Sequence, residues 1–410
     1  MEKLSIDGGA PVRTRPFPKR QPFGEDDLRE VREALESQDL FFTSGNKIAA
    51  LEREFGEKYG ARYAVATTSG TAAVHMAVAA LDASPGDEII TAPVTDFGTV
   101  AGVLFQGLIP VFADWKPGTF NMDPAEVEKK IGPRTRGIVA VHLFGNPCDM
   151  DAIMAAAAKR QIPVIEDCAQ AYCTPYKGKW AGSIGDIGTF SMQQTKHLPT
   201  GEGGMTITNN SDYAMRMALF RDKGWENRDR WGPRAYTFLG LNYRMNELTG
   251  AVARAQLRKV ESVVKAMNRL GNLLTELIRD IDGIFACPVT PGGEHSYWLY
   301  AFRVTWFEPQ EFIKALQAEG IPAAWGYTVT PIYLCTDALA SKRTFGRTSY
   351  PFASPYYQGS IEYKEGLCPV AERELKEIGT FRFYENWSED DIRDVARAFR
   401  KVAAGLPRKG

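Results

Sequence analysis

No run of about 18 apolar residues occurs anywhere in the sequence, so no membrane-spanning helix is expected. The N-terminus has no signal-type apolar core. A formal net charge of -1 leaves no bulk field to attract nucleic acid or an anionic membrane surface, and neither is expected as a partner. Six cysteines (Cys148, Cys168, Cys173, Cys287, Cys335, Cys368) are scattered without a C-x-x-C pair. That spacing argues against a disulfide or zinc framework and suits reduced thiols in a cytosol. Internal repeats and low-complexity tracts are also missing. What remains is a 410-residue chain, 44% hydrophobic and 24% charged, with the composition of a globular protein and enough length for two domains.

The Pro-, Arg- and Gly-rich residues 1–24 read as an extended arm. Residues 25–255 read as a large domain and 256–410 as a smaller α+β domain, with no flexible linker between them. A helix is expected from Glu25 to Ser37, with Leu28, Val31 and Leu35 on one face. Another should run from Ile48 to Tyr59 and end at Gly60. Short apolar strands then alternate with helices: strands near 63–67, 88–92, 109–113, 137–143 and 163–167. The alternation predicts an α/β fold with a largely parallel sheet covered on both faces. Such sheets bind ligands beyond the carboxyl ends of their strands, and Ser69, Phe97 and Asp167 fall there. Further on, Leu241-Asn-Tyr-Arg-Met245 is expected to open a helix reaching Leu257, with a separate helix over 262–279. Ser388-Glu-Asp-Asp391 reads as the capping box of the last helix.

The stretch Thr189-Phe-Ser-Met-Gln-Gln-Thr-Lys196-His-Leu-Pro-Thr-Gly-Glu-Gly-Gly204 places one lysine on a loop between two apolar strands. Desolvation lowers a lysine's pKa, and a neutral amine attacks carbonyls, so Schiff-base chemistry is one reading and a plain surface lysine the other. Ser69-Gly70-Thr71 opens a helix and is either a phosphate grip or an ordinary N-cap. Asp167, ending an apolar strand, can keep a ring nitrogen protonated; a metal ligand or a helix cap are the rival readings, although Glu166 and Asp167 point to opposite sheet faces. Gln170 can donate to a nearby ring oxygen. Phe97 either stacks on a planar ring or fills core. His197 is read as a local packing or hydrogen-bonding residue. Asn242 and Arg244 are a second anion grip or a plain helix start. The Trp225–Arg234 stretch, with Arg228, Arg230 and Trp231, lines a polar site or covers a neighbouring subunit. Taken together, a phosphate grip, a ring stack, a carboxylate, the Ser191 hydroxyl and a lysine fit one ligand, pyridoxal 5′-phosphate, and no metal.

The sequence resembles the sugar and cyclitol aminotransferases of the DegT/StrS group, within the fold-type I pyridoxal-phosphate enzymes, over nearly its whole length. The matching pieces are Ser69-Gly-Thr-Ala-Ala73, Pro93 to Phe97, Val164-Ile-Glu-Asp-Cys-Ala-Gln170, Gly188-Thr-Phe-Ser191, Lys196 with Gly201-Glu-Gly-Gly204, Asn242-Tyr-Arg-Met245 and Cys368-Pro-Val-Ala-Glu372. The resemblance implies that Lys196 forms the Schiff base and Asp167 pairs with the ring nitrogen. It puts Gln170 near the ring hydroxyl and Phe97 on the ring face, with Gly70, Thr71 and Ser191 binding phosphate. It also implies that Asn242 reaches the phosphate of the other subunit, hence a homodimer with shared sites. The opening Ile6 to Phe17 and the Ser191–Lys196 loop are similar to the branch acting on inososes, which commonly uses glutamine as donor. Two departures stand out: Asp96 replaces the usual threonine, and Ile378-Gly-Thr-Phe-Arg-Phe-Tyr384 replaces a proline-containing strand. The implied activity is transfer of an amino group from glutamine or glutamate to a keto-sugar or keto-cyclitol. Dehydration or aromatisation of a sugar-like substrate is the alternative, and a non-catalytic sensor on the same fold is a third reading. Family dehydratases carry histidine at the lysine position, which Lys196 disfavours.

Overall fold

The computed structural model describes residues 2–226 and 235–409. The strands of its first half, in chain order, are β1 (Tyr63–Thr67), β2 (Glu88–Thr91), β3 (Ile109–Phe112), β4 (Thr135–Val141), β5 (Val164–Asp167), a small hairpin of β6 (Pro175–Tyr176) and β7 (Lys179–Trp180), then β8 (Ile187–Ser191) and β9 (Gly204–Thr208). Seven of them form one sheet in the spatial order β1-β9-β8-β5-β4-β2-β3. β9 runs antiparallel to both neighbours, while the pairs among β8, β5, β4, β2 and β3 are parallel. The expected largely parallel sheet therefore carries one reversal. Its cause is local: the lysine-bearing loop joins the adjacent strands β8 and β9 without a crossover helix, and such a link only permits antiparallel pairing.

The helices of this half are α1 (Glu25–Glu36), α2 (Lys47–Tyr59), α3 (Gly70–Ala80), α4 (Phe97–Phe105), α5 (Pro124–Lys130), α6 (Met150–Ala158) and α7 (Ser211–Arg221). α3 is alanine-rich and buried nearly all round, as expected of a helix wedged between sheet and neighbouring helices. α2 ends as anticipated, with Gly60 in the left-handed region.

α1 turns the opposite way from the expected one. Leu28 and Leu35 are 56% and 49% exposed, and the inward residues are Asp27, Glu30 and Ala34. α8 (Glu247–Ile278) explains the inversion, because its Arg254 and Arg258 pair with Glu30 and its Lys259 pairs with Asp27. α8 also corrects two boundaries. Residues 241–246 are not helical: Asn242 makes a β-bridge with Asp222, and the helix begins only after Asn246, whose Oδ1 accepts from the Thr249 N–H at 3.0 Å. From there 32 residues continue as one helix, not two, across the 255/256 position.

The C-terminal part has its own sheet of β10 (Ile284–Ala286), β11 (Tyr300–Val304), β12 (Ala324–Trp325) and β13 (Ile378–Phe381), antiparallel in the order β10-β11-β13-β12. Its core includes Phe302, Phe312 and Phe399, the last from the final helix Glu389–Gly405. Ser388 and Asp391 cap that helix reciprocally, at 3.2 and 2.8 Å. The N-terminal arm lies against this part: Ser5 and Val12 N–H donate to Glu319, and Arg13 pairs with Asp391 and Asp394. Among the described residues, no helix is long and apolar enough to cross a membrane.

Candidate functional site

The carboxyl ends of β5 and β8 and the N-termini of α3 and α4 converge on a cavity of about 420 Å3. That size lies within the roughly 300–1,000 Å3 typical of small-molecule sites. Gly70, Thr71, Asp167, Ser191 and Lys196 all line it.

The floor is built by close approach. Ser69 is extended and its hydroxyl accepts from the Ala72 N–H at 3.1 Å, so the N-cap reading of this residue holds. Gly70 and Thr71 follow it in the first turn, where backbone N–H groups have no intrahelical acceptor and the dipole favours an anion. A Cβ on Gly70 would stand 2.5 Å from the Cβ of Ser191, so only glycine lets this turn meet β8. Likewise a Cβ on Gly204 would fall 2.2 Å from the Ser69 carbonyl oxygen. The glycine-rich end of the lysine loop and the Ser-Gly-Thr turn are thus one packed unit.

Asp167 is buried at the end of β5. Its Oδ2 accepts from the Thr99 hydroxyl at 2.7 Å and its Oδ1 from the Ala169 N–H at 3.1 Å. Burial nevertheless pushes its carboxyl above the usual range, the reverse of a carboxylate already matched to a cation. Lys196 borders the open cavity yet is closely surrounded by protein, and desolvation brings its amine down to about 8. Its Nζ lies 4.0 Å from the centroid of the Trp298 ring. The loop beneath it is held by Arg20 of the N-terminal arm, which donates to the Lys196 and His197 carbonyls at 2.7 and 3.1 Å. His197 is buried, with Nε2 3.0 Å from the Ser296 carbonyl, and burial lowers its pKa to about 3; it is a neutral packing group, as its local reading requires.

The remaining candidates stand apart from the cavity wall. Gln170 is committed behind it: Oε1 accepts from the Phe144 N–H at 2.6 Å and Nε2 donates to the Tyr327 hydroxyl at 3.1 Å. Phe97 opens α4 with 39% exposure, and the wall there is formed by Asp96, Gly98 and Thr99 instead. Asn242 is exposed, its Oδ1 accepting from Arg244 Nε at 3.0 Å. Of the Trp225–Arg234 stretch, Arg228, Arg230, Trp231 and Arg234 lie outside the described residues. Trp298, Tyr327 and Arg382 complete the wall from the C-terminal part. No motif marked them in the sequence; the only signal was the unusual segment containing Arg382.

Glu166, on the other sheet face, gathers with His142 and Cys168, their donor atoms within 4.8 Å of one another. Protein donors fill this set. Glu166 accepts from the N–H groups of Gly182, Ile184 and Gly185 at 2.6–2.8 Å and contacts His142 Nε2 at 3.0 Å. His142 Nδ1 accepts from the Cys148 N–H at 2.9 Å, which puts the ring proton on Nε2. Burial holds the Cys168 thiol up at about 12. The trio anchors the connection between β5 and β8.

Residues 22–349 match the DegT/DnrJ/EryC1/StrS aminotransferase family. The chain belongs to that family. Among relatives of this DegT/DnrJ/EryC1/StrS protein, the GDP-perosamine synthase of Caulobacter vibrioides is 37% identical, over 74% of this chain and 84% of the relative. The L-glutamine:2-deoxy-scyllo-inosose aminotransferase of Streptomyces lividus is 32% identical, over 98% and 97%. The solved aminotransferase of Psychrobacter cryohalolentis is 28% identical with a TM-score of 0.82, over 96% of this chain and all of that one. The architecture is that of the fold-type I pyridoxal-phosphate-dependent transferases, with a large mixed-sheet domain and a smaller α+β C-terminal domain. The cavity fits that cofactor on its own chemistry. It offers a helix N-terminus with Gly70 and Thr71 in its first turn, a buried carboxylate with no ion pair among the described residues, and a desolvated amine.

Proposed function

We propose that this protein is a pyridoxal-phosphate-dependent aminotransferase that moves an amino group from glutamine or glutamate to a keto-cyclitol of the scyllo-inosose type. The observation that carries the reading is the pairing, in one cavity, of a lysine brought to about 8 with a buried Asp167 whose carboxyl is raised. The near end-to-end similarity to a scyllo-inosose aminotransferase supports the acceptor class.

Lys196 would hold the cofactor covalently, Gly70, Thr71 and Ser191 its phosphate, and Asp167 its ring nitrogen. Gln170 would support the ring hydroxyl side through Tyr327, with the Phe97 ring at the rim. When bound, pyridoxal 5′-phosphate supplies an aldehyde for amine exchange and a ring that draws electron density from the carbon being deprotonated. Asp167 Oδ, held by Thr99 and Ala169, would keep a proton on the ring nitrogen. Lys196 Nζ, neutral above about pH 8, takes the proton from the amine-bearing carbon of the donor and returns one to the acceptor carbon. Desolvation lets a lysine act as a base near neutral pH.

The protein is further proposed to work as a homodimer. Leu28 and Leu35 leave an apolar stripe on the outer face of α1, Leu239 is 92% exposed, and Asn242 is exposed and does not line its own cavity. These features suit a second copy that completes the site. The proposed division is residues 25–255 for the cofactor and 256–410 for the smaller domain that closes over it, with 1–24 as the arm.

The test is a half-reaction. Glutamine or glutamate alone should convert the bound cofactor's aldehyde-type absorbance to the amine type, and a keto-cyclitol should reverse it. A panel of nucleotide-linked keto-sugars run beside it decides the acceptor. Conversion by the sugars but not the cyclitol overturns the acceptor assignment, and absence of any conversion overturns the activity.

A further inference from the structure

Two polar ends in the cavity have no part in the chemistry proposed above. Asp96, the departure from the usual threonine, caps α4: its Oδ1 accepts from the Gly98 N–H at 2.8 Å, and nothing among the described residues donates to Oδ2. It lines the cavity and is also exposed, which puts it at the rim, and it has no ion pair among the described residues. Its charge favours the protonated forms of Lys196 and Tyr327, so it stands within electrostatic reach of the reacting amine. Gln193 supplies the other end. Its Oε1 accepts from the Thr195 N–H and hydroxyl at 2.8 and 2.7 Å, which turns Nε2 into the uncommitted end of the amide. Its backbone carbonyl accepts from the Lys196 N–H at 2.8 Å, so this amide has a fixed place relative to the lysine.

A carboxylate oxygen only accepts hydrogen bonds, and an amide NH2 only donates them. A hydroxyl does both, so a ring bearing several hydroxyls satisfies the two ends together. A phosphate only accepts. It suits Gln193 but meets Asp96 as a like charge, and a like charge in a binding site works against the wrong ligand. The other carboxylates of the cavity are placed differently: Asp167 is buried and engaged by Thr99 and Ala169, and Glu202 comes from the far end of the lysine loop. Anions are not barred from the whole cavity, because the α3 turn and Arg382 line it as well; the exclusion belongs to the α4 side. A nucleotide-linked acceptor has to carry its phosphates out past the rim, whereas a keto-cyclitol presents hydroxyls around its ring. Resting on the function proposed above, we propose that Asp96 sets the acceptor class: its free oxygen accepts from a hydroxyl of an uncharged polyol ketone, and its charge turns away phosphate-bearing acceptors.

The experiment compares wild type, D96N and D96T in the acceptor half-reaction. Asparagine and threonine both serve as N-caps, so the start of α4 is kept, and either variant decides where the other does not fold. An uncharged keto-cyclitol and a nucleoside-diphosphate-linked keto-hexose are each offered to the aminated cofactor form. The readout is the ratio of their kcat/KM values, in which any change at Lys196 itself cancels. Where the linked sugar is not turned over, its inhibition constant against the keto-cyclitol takes its place. Wild type should favour the keto-cyclitol. In D96T the keto-cyclitol value should fall by about 10-fold or more, the scale of a lost hydrogen bond to a charged group. D96N, which keeps an acceptor without the charge, should fall less. In both variants the linked sugar should hold its value or gain, so the ratio drops. An unchanged ratio overturns the assignment. So does loss of cofactor from both variants, which would give Asp96 to the cofactor's seat. Wild type that takes up no cofactor, or that prefers the linked sugar, overturns the proposed function as well. Wild type that aminates the keto-cyclitol beside variants that keep its ratio overturns this inference alone.

Discussion

The hydroxyl of Thr99 donates to Asp167 Oδ2 across 2.7 Å, joining the first turn of α4 to the end of β5. Thr99 in turn meets the Thr95 hydroxyl at 2.7 Å. The chain of hydroxyls opposes the effect of burial on Asp167, which otherwise favours the protonated acid. Thr99→Val should therefore raise that carboxyl further and weaken its hold on a cationic ring nitrogen. A hydrogen bond to a charged group contributes about 1.5–3 kcal/mol, so cofactor affinity should fall by about 10-fold or more. Thr99→Ser should restore most of it. Equilibrium titration of the cofactor-free protein measures both, and equal affinities for wild type and Thr99→Val would remove Asp167 from the proposed role.

Gly70 is needed for contact, not for an unusual backbone. Its missing Cβ leaves the space into which Ser191 packs, at a projected separation of 2.5 Å. Gly70→Ala must push α3 and β8 apart, with an overpacking cost of about 1–3 kcal/mol. The melting temperature should drop, and phosphate-bearing pyridoxal should lose more affinity than the dephosphorylated vitamin. Matching losses for the two compounds would mean that the turn does not carry the phosphate.

Lys196 links the site to stability. Its folded-state value near 8 lies below the roughly 10.4 of an unfolded lysine. Below that window both states hold the proton, and the fold bears a desolvated ammonium. Between the two values the unfolded chain holds more protons, so stability rises with pH. The gain is complete above about 10.4. Urea midpoints of the cofactor-free protein should climb through this window more steeply than those of Lys196→Met. Parallel curves would show that the amine is not desolvated.

The outer face of α1 gives a prediction about assembly. Leu28→Glu with Leu35→Glu places two charges on a half-exposed apolar stripe outside its own chain's core. Sedimentation should show a dimer for wild type and a shift toward monomer for the double variant, with activity falling alongside mass. A variant that stays dimeric would locate the interface elsewhere.

Much of this site was legible because its elements are local. Ser69-Gly-Thr71, Asp167 and Lys196 each sit where a short apolar strand gives way to a turn, and that punctuation is written in consecutive residues. The inversion of α1 was not legible from Leu28, Val31 and Leu35, since an apolar stripe does not by itself say that its own chain buries it. Its inward row of Asp27 and Glu30 makes sense only against Arg254, Arg258 and Lys259, more than 200 residues later. The beginning of α8 was misplaced because Asn242 and Asn246 are equally good caps by residue type; the β-bridge to Asp222 decides between them. Arg20 and Trp298 reach the lysine loop, and Arg382 the same cavity, from the arm and the small domain, distances over which no spacing rule operates.

The central claim concerns one amine, and reductive trapping tests it directly. Protein incubated with pyridoxal 5′-phosphate should be treated with borohydride, digested and mapped by mass spectrometry. The account predicts a single stable adduct, carried by the peptide containing Lys196 and missing from Lys196→Met. An adduct on another lysine, or none at all, would contradict it.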